Sequence, residues 1–233
     1  LGDLGCHLME APFRILGIEY ALDVQASVTS VFTAFGQRGY FPDSFPPSSH
    51  ATLTFPQTSK TKGQVIMHWM DGGIKPERPE ELGANEVFGD GNSGILFVGT
   101  KGKMMASEYA ANPRLLPLSR NAEVKVPQTQ PRVRGGADGH YAQWVEGCIA
   151  GYGNMELSSS FKKAGPLTEA ILMANLAIRA ADTPKRRANG RGNDYPGANM
   201  KLLWDYKNMR VTNLEEVNRF VKREYRKGWT IDY

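Results

Sequence analysis

Asp3 and His7 stand four residues apart in the opening Gly2-Asp3-Leu4-Gly5-Cys6-His7 of a 233-residue chain. On a helix that spacing sets both side chains on one face, within reach of each other. A carboxylate beside an imidazole fixes its tautomer and raises its pKa, as general acid–base chemistry requires. The same residues also read as a capping aspartate followed by an unrelated surface histidine. Further along, strand alternation puts His68 on the face opposite Trp69, beside Ile66 and Met70. There it lines a pocket or an interface, or serves the structure alone. His68, and Asp71 in the turn after it, are the candidate substrate contacts.

Other constellations fail on context. Gly89-Asp90-Gly91-Asn92-Ser93-Gly94 spells the dinucleotide fingerprint, yet a polar loop precedes it and the β-like Ile95-Leu96-Phe97-Val98 follows. The fingerprint must leave a strand and open a helix, so that phosphate meets the helix N-terminus. His7, His50, His68 and His140 show no His-x-His or His-Glu-x-x-His spacing, so no metal is expected. His140 falls in a first helical turn and reads as structural. Lys185, Arg186, Arg187 and Arg191 form a basic cluster without interleaved aromatics, the pattern of a solvated loop. Neither a Gly-x-Ser-x-Gly elbow nor a Cys–His nucleophile arrangement stands out.

Composition narrows the class. A net charge of +4 is too small for a nucleic-acid binder of this size, and two cysteines make no disulfide framework. Apolar residues at 41% suffice for a core, while no apolar run approaches the ~18 residues of a membrane span. The chain starts at Leu1 rather than a methionine and is expected to be a piece of a longer protein, so a missing leader carries no weight. A cytoplasmic location is expected, with export left open.

The elements that must position these residues follow from periodicity. A helix is predicted from Asp3, with Leu4, Leu8, Ala11 and Ile15 at helical spacing and a kink at Pro12. Val24–Val28, Ala51–Phe55 and Val65–Met70 alternate as strands, the last two antiparallel across the short Gln57–Gly63 connection. Ile74–Gly94 reads as a long polar loop, Ile95–Gly99 and Lys103–Ser107 as a hairpin, and Val124–Val126 as a short strand. Asp138 is placed to cap a helix whose stripe is Tyr141, Trp144, Val145, Cys148 and Ile149. Pro166 suits the first turn of another, with Leu167, Ala170, Ile171, Ala174, Ile178 and Ala181 as its stripe. Met200–Tyr206 is predicted to be a last strand. A terminal helix follows from Thr212 or Asn213, burying Leu214, Val217, Val221 and Tyr225. The class is α+β, a large, mainly antiparallel open sheet with helices on one face.

Several segments together resemble the C-terminal domain of the Gfo/Idh/MocA family, the glucose–fructose oxidoreductase and inositol dehydrogenase kind of NAD(P)-dependent enzymes. Gly2–His7 resembles its Gly-Asp-x-Gly-x-His motif. Trp69-Met70-Asp71-Gly72-Gly73-Ile74-Lys75-Pro76 resembles a Trp-x-Asp-Gly-Gly-x-x-Pro turn, and Gly99-Thr100-Lys101-Gly102 a Gly-Thr-x-Gly hairpin. His140–Cys148 and Gly165–Arg179 resemble its paired helices, and Leu203-Trp204-Asp205, Thr212-Asn213 and Tyr225–Trp229 its tail. The resemblance implies one substrate and oligomerisation domain over 1–233, folded like the C-terminal domain of glyceraldehyde-3-phosphate dehydrogenase. The nucleotide-binding domain and its catalytic Lys would lie upstream.

It implies further that His7 is the acid–base on a substrate hydroxyl, oriented by Asp3. The parent would be an oxidoreductase acting on a sugar, polyol or sugar derivative. Its NAD or NADP would depend on the upstream domain, so this chain alone is expected to bind NAD(H) weakly or not at all. A homo-oligomer is expected through the strands around Val65–Met70 and Ile95–Val98. Two alternatives stand: an NAD-dependent glycoside hydrolase or lyase of the same superfamily, and a non-catalytic binding or oligomerisation module.

Overall fold

The computed structural model describes residues 1–129 and 133–229. In chain order the elements are α1 (Gly5–Leu16), β1 (Asp23–Val28), β2 (Phe32–Ala34), β3 (Gln37–Arg38), β4 (Ser49–Phe55), β5 (Val65–Met70), β6 (Ile95–Gly99), β7 (Gly102–Ala106) and β8 (Arg114–Leu116). Then follow α2 (Gly139–Ala150), α3 (Phe161–Asp182), β9 (Lys185–Arg186), β10 (Asn193–Asp194), β11 (Leu202–Asp205) and β12 (Arg210–Val211). They form two compact units, Leu1–Arg78 with Glu169–Tyr233, and Pro79–Thr168.

The first unit is built on a five-stranded sheet of order β12-β11-β1-β4-β5. Every neighbouring pair is antiparallel. Period-two alternation does here what it should. Val24 and Ala26 of β1 pair with Leu53 and Ala51 of β4, and these, with Phe55 and Leu202, are buried on one face. Phe13 of α1 meets the Phe55 ring edge-on at 5.4 Å, so α1 covers that inner face. On α3, Ala170, Ile171, Ala174, Ala177, Ile178 and Ala181 are all buried. The outer face carries Gln25, Ser27, His50, Thr52, His68, Ile66 and Met70, partly or fully open to solvent.

The second unit holds the antiparallel β6-β7-β8 sheet, whose core is Leu82, Met105 and Leu116 with Phe88, Leu96 and Leu118 packed around it. The α+β class and the antiparallel sheet are therefore present, but β5 and β6 belong to separate sheets rather than one broad one.

Local expectations are corrected in five places. First, α1 starts at Gly5 with Leu4 as N-cap and no side-chain cap, so Asp3 sits in the preceding turn. The helix runs unbroken through Pro12, whose buried ring offsets the missing hydrogen bond. Second, Val124–Val126 forms no strand; the third strand of that sheet is β8. Third, α3 begins at Phe161, which leaves Pro166 inside it. Fourth, Asp138 makes no side-chain cap to α2, and the α2 stripe is exposed, with Trp144 at 64% and Ile149 at 81%. Fifth, the terminal helix shrinks to a 3-10 segment, Glu215–Phe220. Asn213 and Asn218 explain this: their amides bond the backbone of Leu203 and Lys201, and of Val211, and so tie the segment to the strands. Among the described residues no helix is long and apolar enough to cross a membrane.

Candidate functional site

The start of α1 is set by close packing. Gly5 is buried, and a Cβ there would come within 3.3 Å of Ile171 Cγ1, so α1 approaches α3 where a larger residue would push it away. Leu1 to Leu4 already curl as a turn, with the Gly5 amide donating to the Leu1 carbonyl at 2.8 Å. Asp3 is exposed in that turn, while His7 is half-buried on the first turn of the helix. The exposed Cys6 thiol donates to the Asp3 carbonyl at 3.4 Å. Both members of the sequence-predicted pair thus sit at one end of α1, four residues apart.

The same end of the unit receives the turn after β5. Asp71 accepts from the Ser49 amide at 2.7 Å, the Ser49 hydroxyl at 2.8 Å and the Trp69 indole at 2.8 Å. Its own amide donates back to the Ser49 carbonyl at 3.0 Å. Burial pushes the Asp71 carboxyl upward, but the hydrogen bonds donated by Trp69 and Ser49 outweigh it and hold the group below the ordinary aspartate range. The Leu1 nitrogen lies 3.6 Å from Asp71 Oδ2. Gly72 then turns at φ +63°, where a Cβ would lie 2.1 Å from the Pro47 carbonyl, so no other residue fits. Asp71 therefore acts as the clamp of this turn, with its lone pairs largely committed to the protein.

His68 goes elsewhere. Its ring is on the outer face of the sheet, whereas Trp69 and α1 are on the inner one, so the structure parts His68 from His7. It meets His50 instead: His50 Nε2 and His68 Nδ1 are 3.0 Å apart, and Thr52 Oγ1 is 3.1 Å from the latter. That pairing was not legible as spacing, because antiparallel register, not sequence distance, brings the rings together. Ser49 was likewise missed; only the register opposite β5 marks it.

The Gly89–Gly94 stretch is a turn held by the Asp90 carboxylate, which accepts from the Asn92 and Ser93 amides, and it opens into β6 rather than a helix. Of the basic cluster, read as a solvated loop, Lys185 and Arg186 instead form β9, paired with β10. At the surface Lys185 pairs with Glu216 and Arg187 with Asp194. No protein-family model matches the chain, and no curated protein matches it either.

Proposed function

We propose that this chain is the substrate-binding domain of an NAD(P)-dependent oxidoreductase of the Gfo/Idh/MocA kind, acting on a sugar, polyol or sugar derivative. The supporting observation is convergence. The Gly2–His7 segment and the Trp69–Gly73 turn, far apart in sequence, meet where Leu1 adjoins Asp71. Both are among the segments whose residues carry the resemblance.

In this reading His7 accepts the proton of a substrate hydroxyl, and Asp3 orients the ring. Asp71 is a positioning residue: it fixes the turn that flanks the start of α1 through Ser49 and Trp69. His68 has no part in the reaction. In this reading nicotinamide dinucleotide binding is assigned to polypeptide outside this chain. The exposed stripe of α2 supplies an apolar surface of the sort another domain covers.

The test is made in the longer protein that carries this domain. His7→Ala is expected to lower kcat by roughly 10²–10⁴-fold with little change in KM, because proton transfer helps only in the transition state. Asp3→Asn is expected to do less and to move the pH profile. If both residues are merely structural, Asp3→Asn is silent and His7→Ala lowers Tm without touching turnover. Wild-type kcat in a folded His7→Ala variant ends the assignment.

A further inference from the structure

We propose that His50 and His68 form a binding site for a divalent late-transition-metal cation, of the zinc or copper type, on the outer face of the five-stranded sheet. Three donor atoms converge there. His50 Nε2 and His68 Nδ1 are 3.0 Å apart, with Thr52 Oγ1 at 3.1 Å from His68 Nδ1 and 3.5 Å from His50 Nε2. Metal–nitrogen bonds of ~2.0–2.1 Å at tetrahedral angles separate neighbouring donors by about 3.3 Å. The triangle on this sheet is thus close to one face of such a tetrahedron. Swinging either ring by a few tenths of an ångström opens it to the right size.

The backbone holds this triangle in place. Thr52 lies directly opposite His68 in the β4–β5 ladder, and His50 is the next outward residue along β4. The inward neighbours Ala51 and Leu53 have no exposure at all, so the register that points the imidazoles outward is fixed by the core. His68 is solvent-exposed, which leaves the fourth position open to water.

The chemistry of the surroundings selects the cation. Around the pair stand Ser27 and Gln25 of β1, Thr54 of β4, and Ile66 and Met70 of β5, none of them charged. On the same face Asp23 lies opposite Thr54 and 3.5 Å from the Lys201 ammonium, and Asp205 and Arg210 lie opposite one another on the outermost strands. Magnesium and calcium want carboxylate and carbonyl oxygens, whereas imidazole suits zinc, copper and nickel. Metal binding also needs neutral rings at working pH. Among the described residues no group of three His, Cys, Asp or Glu side chains converges, so the proposed site rests on two imidazoles, completed by a hydroxyl and water.

The probe is zinc alone, titrated calorimetrically at neutral pH into the whole chain carrying Cys6→Ser and Cys148→Ser, which removes the exposed thiols as competitors. One saturable site per chain is expected. His50→Gln and His68→Gln are each expected to weaken it by at least the ~10–100-fold that even outer partners of a metal site command. His140→Gln leaves it unchanged. Imidazole NMR of the chain with both histidines intact gives a readout independent of variant folding: zinc should shift two of the four histidine rings. Absence of a saturable zinc isotherm overturns the proposal, and so does binding that survives both histidine substitutions. Because the site is on the face away from His7, its failure leaves the proposed acid–base role standing, and the reverse also holds.

Discussion

Helices α2 and α3 both carry an apolar stripe at helical spacing, and the two stripes meet different fates. In α3, Leu167, Ala170, Ile171, Ala174, Ile178 and Ala181 are all buried. In α2, Tyr141, Trp144, Val145 and Ile149 are all exposed, from 48% to 81%. What α2 does press inward is another side. Gln143 accepts from the Ser158 amide and hydroxyl at 2.9 and 2.6 Å, and a Cβ on Gly147 would come within 2.8 Å of Leu157. Residues 143 and 147 are themselves one helical turn apart, so α2 is fastened through a polar and a missing side chain. Periodicity therefore names the face of a helix that wants cover. It does not say what covers it, nor whether that partner is in the same chain.

The largest effect should come from breaking the buried stripe. Ile171→Ala removes side-chain carbons that pack against Gly5 at the start of α1, and is expected to cost about 2–5 kcal/mol. Urea unfolding followed by circular dichroism measures it; a loss under ~1 kcal/mol would mean that α3 tolerates collapse around the site.

A subtler probe sits on α3 next to that stripe. Glu169 accepts the Trp204 indole hydrogen at 2.8 Å, and burial raises its carboxyl pKa despite that bond. A carboxyl with a raised folded-state pKa disfavours its charged form in the fold. Its destabilising effect is therefore absent below the unfolded value of about 4.3 and grows as pH rises through the folded one. Glu169→Gln keeps an acceptor for Trp204 and removes the charge. It should raise stability at pH 7 by less than about 1 kcal/mol, since the group is partly solvated, with no gain below about pH 4. Thermal melts at both pH values check the sign; a variant less stable at pH 7 would reverse it.

The smallest effect belongs to α2. Trp144→Ser and Ile149→Ser should each change the stability of this chain by no more than about 0.5 kcal/mol, because the side chains are already in water. A Tm drop comparable to that of Ile171→Ala would show that the stripe is covered in solution, by a second copy or a rearranged α2.

How much of this was legible in the sequence depends on the range of the interaction. Strands β1, β4 and β5 follow from alternation within single segments, to within two residues, and β6 from its place in a hairpin. The ends of helices were harder. Neither Asp3 nor Asp138 caps as its type suggests, because Leu1–Leu4 and Gly136–Asp138 are already wound before each helix begins. Of the site, the spacing of Asp3 and His7 was readable because it is local. The Asp71 clamp on Ser49 and the His50–His68 contact were not, since each joins β4 to β5 and exists only once the register is known.

The β4–β5 hairpin has a consequence for how length variation can spread through related chains. Ala51, Leu53 and Phe55 face the core from the same strand on which His50 and Thr52 face solvent. Deleting one residue within β5 would turn Met67 and Trp69 outward and His68 inward in a single step, spoiling both faces together. The Gln57–Gly63 connection is free of that coupling, for an inserted residue there lengthens a loop while the ladder keeps its pairing. Insertions and deletions should thus collect between residues 57 and 63 and vanish on either side, so that the most variable stretch of the hairpin borders its least negotiable one.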